Sequence, residues 1–203
     1  MLEVNQFIYG EGAVLATDIQ TTSSITIVKD AQPNDAQDFN FVSSSSIGTF
    51  SLDDDADGTL PNQQIFTLAA GTYNIKENSV SGWDLTNLVC TTNDNNQPVN
   101  ITGSTAQVNL DNGENVTCTF TNTKRGAITV NKVANPKSND NFTISVGGDT
   151  ESEVTLDDAS PDDNDGIQNS QTLSFAPGNY TLSETIPSGW NLADLSCETT
   201  DAN

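Results

Sequence analysis

Apolar residues in this chain recur at every second position over short stretches, the period of a strand whose two faces meet different surroundings. Ile25 and Ile27 lead to Lys29, Tyr73 and Ile75 lead to Glu77, and Val116, Cys118 and Phe120 lead to Asn122. Thr117, Thr119, Thr121 and Thr123 alternate with the last four, so one face of that strand is pure threonine, a residue well suited to a pleated surface. Clusters of Asn, Asp, Gly and Pro interrupt the strands at short intervals, which predicts an all-β sandwich or barrel. Helical spacing is nearly absent, and Val14–Gln20 is the single short candidate.

The pattern occurs twice. Ile25–Ala31 matches Ile128–Ala134, Ala70–Glu77 matches Pro177–Glu184, and Ser81–Leu85 matches Ser188–Leu192. Leu88–Cys90 likewise matches Leu195–Cys197. Lys29 and Lys132 are 103 positions apart, whereas the later pairs are offset by 107, so the second copy carries a net insertion of four residues around its acidic loop. The repeats predict an extension over residues 1–23, a first domain over 24–124 and a second over 125–203. The second copy has no counterpart of Val99–Thr102, Thr105–Leu110 or Glu114–Thr123.

Strand alternation places three polar side chains on inward faces of the first repeat: Lys29, Glu77 and Asn122. Burying charge is costly without a partner, so the plain expectation is a Lys29–Glu77 ion pair with a hydrogen-bonded asparagine. A chemical alternative exists. Burial lowers a lysine pKa and raises that of a glutamate, which leaves a neutral amine beside a protonated acid. Such an amine is a nucleophile, the acid can polarise a carboxamide, and the product is a Lys–Asn isopeptide bond with release of ammonia. Lys132 and Glu184 are the corresponding residues of the second repeat.

Composition narrows the classes. The 203 residues include 28 acidic and 6 basic side chains and no histidine, for a formal charge of −22. No basic face exists to neutralise nucleic-acid phosphates, and an anionic membrane surface would repel the chain. The missing histidine removes Ser-His-Asp and Cys-His catalysis and imidazole-bound metals. Hydrophobic residues make up 34% and charged residues 17%, with Thr and Asn filling the remainder, a composition expected of extracellular β structure. No apolar run reaches the ~18–20 residues of a membrane helix, so no membrane insertion is expected in this segment. Met1–Gln20 lacks the basic and apolar regions of a secretion signal.

A lysine on the first strand, a Gly-x-Tyr-x-x-x-Glu strand, a Pro-x-Gly-Trp turn and an asparagine late in the last strand resemble the collagen-adhesin B-type domain. This is the prealbumin-like module of Gram-positive surface adhesins and pilin shafts. The turn fits Pro187–Trp190, whereas Val80 replaces the proline in the first repeat. The resemblance implies tandem immunoglobulin-like or prealbumin-like β-sandwiches from Ser24 onward. It also implies that Lys29, Glu77 and Asn122 are a reactive trio, with Lys132 and Glu184 matching the first two members.

Three further features carry candidate chemistry. Cys90 and Cys118 fall in one repeat and are expected either to bridge or to stay buried as free thiols, while Cys197 corresponds to Cys90. Asp53, Asp55 and Asp57 precede Gly58 as in the start of an EF-hand-type loop, with calcium as the implied cofactor. Gln64 stands where that loop type ends in a glutamate, so a solvated acidic hairpin is the competing expectation. Asn100, Asn115, Asn141 and Asn179 begin N-glycosylation sequons, in a chain rich enough in Asn and Thr for chance matches.

These features together point to a structural subunit or stalk of an extracellular, microbial cell-surface filament or adhesin, stabilised by internal cross-links. The alternative is a calcium-dependent adhesive or carbohydrate-binding module. An enzyme is not expected, because Trp83 and Trp190 hold equivalent repeat positions and the paired carboxylates lie in loops without aromatic neighbours. The partner expected is either a longer parent chain or further copies of this one in a homopolymer. In the latter, residues 1–23, where Asn5, Phe7 and Tyr9 alternate, complete the second repeat of a neighbour by strand complementation.

Overall fold

The computed structural model describes residues 22–55, 57–93, 99–159 and 165–199. The candidate helix at Val14–Gln20 and the alternating segment around Phe7 lie outside them. All regular structure described is strand, and no helix there is long and apolar enough to cross a membrane. The chain divides into two compact units, with the boundary between Lys124 and Arg125.

Unit 1 contains β1 (Ser23–Gln32), β2 (Phe39–Ser43), β3 (Thr49–Leu52), β4 (Gln63–Leu68), β5 (Gly71–Glu77), β6 (Trp83–Thr92), β7 (Val99–Thr102), β8 (Thr105–Leu110) and β9 (Asn115–Lys124). One sheet has the order β4-β1-β9-β6 and the other β3-β2-β5-β8-β7. Every ladder is antiparallel except β1–β9, where the first and last strands of the unit run parallel in a register that sets Lys29 beside Phe120 and Ala31 beside Asn122. Burial follows the alternation of the sequence. The odd positions of β1 from Ser23 to Ala31 and the even positions of β9 from Val116 to Asn122 are all buried. Ile25, Ile27, Phe39, Phe41, Ile75, Val108 and Phe120 fill the space between the sheets. A shift in the β6–β9 register between Leu85 and Asn87 falls opposite Asn122, a local irregularity of the kind that re-aims side chains.

Unit 2 contains β10 (Gly126–Asn131), β11 (Ser138–Gly148), β12 (Ser152–Asp158), β13 (Ser170–Phe175) and β14 (Tyr180–Thr185). Its sheets, β10-β13 and β12-β11-β14, reproduce the β1-β4 and β3-β2-β5 parts of unit 1. Small contacts repeat as well. The Tyr73 hydroxyl donates to the Ala69 carbonyl and Tyr180 to Ala176, while the Ala31 N–H donates to Asp54 and Ala134 to Asp158. Val130, Phe142, Ile144, Val154 and Leu156 form a smaller core. Among the described residues, no strand lies against the second edge of β10, and residues 186–199 carry no strand.

Candidate functional site

Lys29 enters the core of unit 1 from β1, Glu77 from the end of β5 and Asn122 from β9. The three are 1%, 2% and 2% exposed. Lys29 Nζ donates to Asn122 Oδ1 at 2.7 Å and to the Phe120 and Asp30 carbonyls at 2.9 and 3.1 Å. Glu77 Oε1 is 3.7 Å away, and the Phe39 ring lies 4.1 Å from the amine. The sequence pattern alone places these three side chains inward; their convergence on one point requires both sheets.

Burial is the largest influence on the acid–base state of the pair. It lowers the Lys29 amine from 10.5 to about 8, against the opposing pull of Glu77 and, more weakly, Asp30 and Asp54. It raises the Glu77 carboxyl, against Lys29 and a hydrogen bond from the Asn122 side chain. Both groups are therefore displaced towards their neutral forms. A neutral amine held against a carboxamide oxygen, with a carboxylic acid beside it, is the arrangement an acyl transfer from nitrogen to nitrogen needs.

Unit 2 holds the corresponding pair in more open surroundings. Lys132 Nζ lies 2.6 Å from Glu184 Oε1, with side chains 15% and 8% exposed, and the Phe142 ring is 3.9 Å from the amine. The aromatic ring under each lysine was not singled out by the alternation, although Phe39 and Phe142 share the 103-residue offset of the lysines. Where unit 1 has β6 and β9, unit 2 has a cleft of about 430 Å³ that includes Val130, Lys132, Phe142, Glu184, Trp190 and Leu195 in its lining. Trp190 packs edge-on against Phe142 as Trp83 does against Phe39, so both tryptophans act in packing.

Cys90 and Cys118 form a disulfide between the directly paired positions of β6 and β9, and Cys197 is free and exposed. Asp53, Asp55 and Asp57 bring carboxylate oxygens within 4.8 Å of one another in the loop between β3 and β4. Thr59 hydrogen bonds hold the Asp57 carboxyl below its ordinary pKa. Asn100, Asn115, Asn141 and Asn179 are all exposed, and Asn115 Oδ1 accepts a hydrogen bond from the Ser24 hydroxyl.

No curated protein matches the chain. Among solved structures, the Bacillus anthracis TIE protein aligns over 86% of this chain and 30% of its own, at 16% identity and a TM-score of 0.37. A streptococcal ancillary pilin aligns over 92% and 61%, at 17% identity and the same TM-score. This chain thus spans less than two thirds of either protein. The family model described as a prealbumin-like fold domain matches residues 25–124 and again residues 128–203. With two matched segments that coincide with the two repeats, the chain belongs to the prealbumin-like fold domain family.

Proposed function

We propose that the chain is a structural module of an extracellular surface protein or pilus, and that unit 1 locks itself with an amide between Lys29 and Asn122. The observation that carries this reading is the 2.7 Å contact of a fully buried lysine amine with a carboxamide, next to a buried glutamate. In the reaction the neutral Lys29 Nζ attacks Asn122 Cγ, with the protonated Glu77 polarising the carboxamide. The Nζ–Cγ bond forms and the Cγ–Nδ2 bond breaks. Nζ loses one proton, Nδ2 departs with it as ammonia, and Glu77 ends in the state in which it began.

The topology supplies the reason for such a bond. β1 and β9 are the first and last strands of unit 1 and are parallel neighbours, so tension on the two ends of the unit shears their ladder. An amide joining residues 29 and 122 carries that tension directly from one strand to the other. Residues 30–121, including the Cys90–Cys118 bridge, then lie outside the stretched path. A stalk exposed to pulling and proteolysis benefits from this arrangement, and it needs no ligand pocket. An intact mass lower than the disulfide-corrected composition by one ammonia, restored in Glu77→Ala and Asn122→Ala, is the expected result. A wild-type mass equal to the composition would overturn the cross-link.

Assembly is the second part of the reading, favoured by the second edge of β10, which is unpaired among the described residues, and by the cleft beside it. An unpaired edge beside a partly apolar cleft is a template for an added strand. We assign that role to the N-terminal segment of a second copy, whose alternation at Asn5, Phe7 and Tyr9 matches a strand with one face inward. Such a contact is head-to-tail and propagates without closing.

A further inference from the structure

We propose that Asp53, Asp55 and Asp57 form a calcium site in the loop between β3 and β4 of unit 1. Three carboxylates in one loop are ordinarily only a solvated patch, but here one of them is not solvated. Asp53 is 1% exposed, and its Oδ1 is shut off from solvent without any hydrogen-bond donor. Its Oδ2 accepts a hydrogen bond from the Thr59 hydroxyl, at 3.1 Å. Asp53 takes part in no ion pair among the described residues. A buried carboxylate oxygen with neither water nor a donor is costly, and its ligand atom lies within 4.8 Å of those of Asp55 and Asp57. A cation bound by these carboxylates offsets both the buried charge of Asp53 and the mutual repulsion of the three acids.

The same orphan appears independently in unit 2. Asp157 follows Leu156 as Asp53 follows Leu52, is 3% exposed, and has Oδ2 buried without a partner. The next residue in each unit, Asp54 or Asp158, accepts the N–H of Ala31 or Ala134. Each unit therefore divides a pair of adjacent acids between two tasks. The second ties the loop to the first strand, and the first is left with an oxygen that no group among the described residues satisfies.

Donor chemistry selects the ion. All three side chains are hard oxygen donors, and the chain has no histidine, which favours calcium over zinc or copper. Gly58 adopts φ +86°, the left-handed conformation required where such a loop turns sharply after its third carboxylate. Affinity in the range of extracellular modules, Kd of roughly 10⁻⁴–10⁻³ M, is expected for a site completed by water and backbone carbonyls. Because Asp54 ties the same loop to β1 two residues beyond Lys29, bound calcium stiffens the wall of the buried site.

The test is calorimetric titration of calcium into the chelator-stripped full chain, with melting curves in calcium and in chelator. Wild type should bind with measurable heat, and calcium should raise its melting temperature by several degrees. Asp53→Asn should lose one equivalent of binding. In chelator, however, it should melt no lower than wild type, because an amide retains the Thr59 contact without the buried charge. A merely structural Asp53 predicts the opposite, a lower melting temperature in chelator and an unchanged response to calcium. Asp57→Asn, at an exposed position, provides the same comparison if Asp53→Asn does not fold. Absence of binding heat in wild type, or full binding in both variants, would overturn the site.

Discussion

Lys29 illustrates how a single residue reports on its surroundings. With its amine lowered from 10.5 to about 8, folded and unfolded chains both hold the proton below pH 8, and the folded chain bears the burial penalty. Between about 8 and 10.5 only the unfolded chain holds it, so stability rises with pH through that window. Glu77 has the opposite sign. Its pKa is raised, so the stability present below its unfolded value of 4.5 is lost as pH climbs through the folded value. In Asn122→Ala, where no amide can form, urea melts should therefore show stability increasing from pH 8 to 10.5 by up to about 3 kcal/mol. Cross-linked wild type should lack this increase, because its Lys29 nitrogen no longer titrates. Equal pH dependence in the two proteins would mean that the amine is free in both.

At the scale of elements, β9 is the strand on which unit 1 depends most. It lies between β1 and β6, and it supplies Phe120 to the core, Cys118 to the disulfide and Asn122 to the buried trio. Phe120 is fully buried and packs edge-on against Phe41, so Phe120→Ala should cost roughly 3–5 kcal/mol in denaturant melts. The disulfide closes a loop of 28 residues, and replacing both cysteines by alanine should cost about 3–4 kcal/mol. The amide-free Asn122→Ala background isolates this contribution, and a much smaller loss there would mean that the bridge restrains the unfolded chain little. β10, in unit 2, has no such strand beside it among the described residues. The same apolar alternation is present there, yet Lys132 and Glu184 keep some contact with solvent.

For the whole molecule, the decisive question is what covers the cleft of unit 2. If the N-terminal segment of a second copy does, removing residues 1–21, which stops short of β1, should abolish polymers while unit 1 keeps its melting transition. Sedimentation of both proteins at high concentration checks this, and polymers of unchanged length in the shortened chain would reject strand complementation. The alternative of a calcium-dependent adhesive or carbohydrate-binding module is separated by glycan capture with and without chelator. A pure stalk retains no glycan under either condition.

The strands, their faces and the repeat are legible in the order of residues alone, because a period of two and a duplicated motif are local properties that survive without knowledge of the partners. The same alternation puts Lys29, Glu77 and Asn122 on inward faces, since it fixes a side for every residue of a strand. Which strands are neighbours is not written locally. The parallel pairing of β1 with β9 joins residues about ninety positions apart, and nothing local encodes that register. Only this pairing brings the amine to the carboxamide at 2.7 Å. Only the packing of the β3–β4 loop buries Asp53 while Asp55 and Asp57 keep contact with water. Contact distance and desolvation are properties of the assembled sheets, and those two quantities turn a row of acidic and basic letters into candidate chemistry.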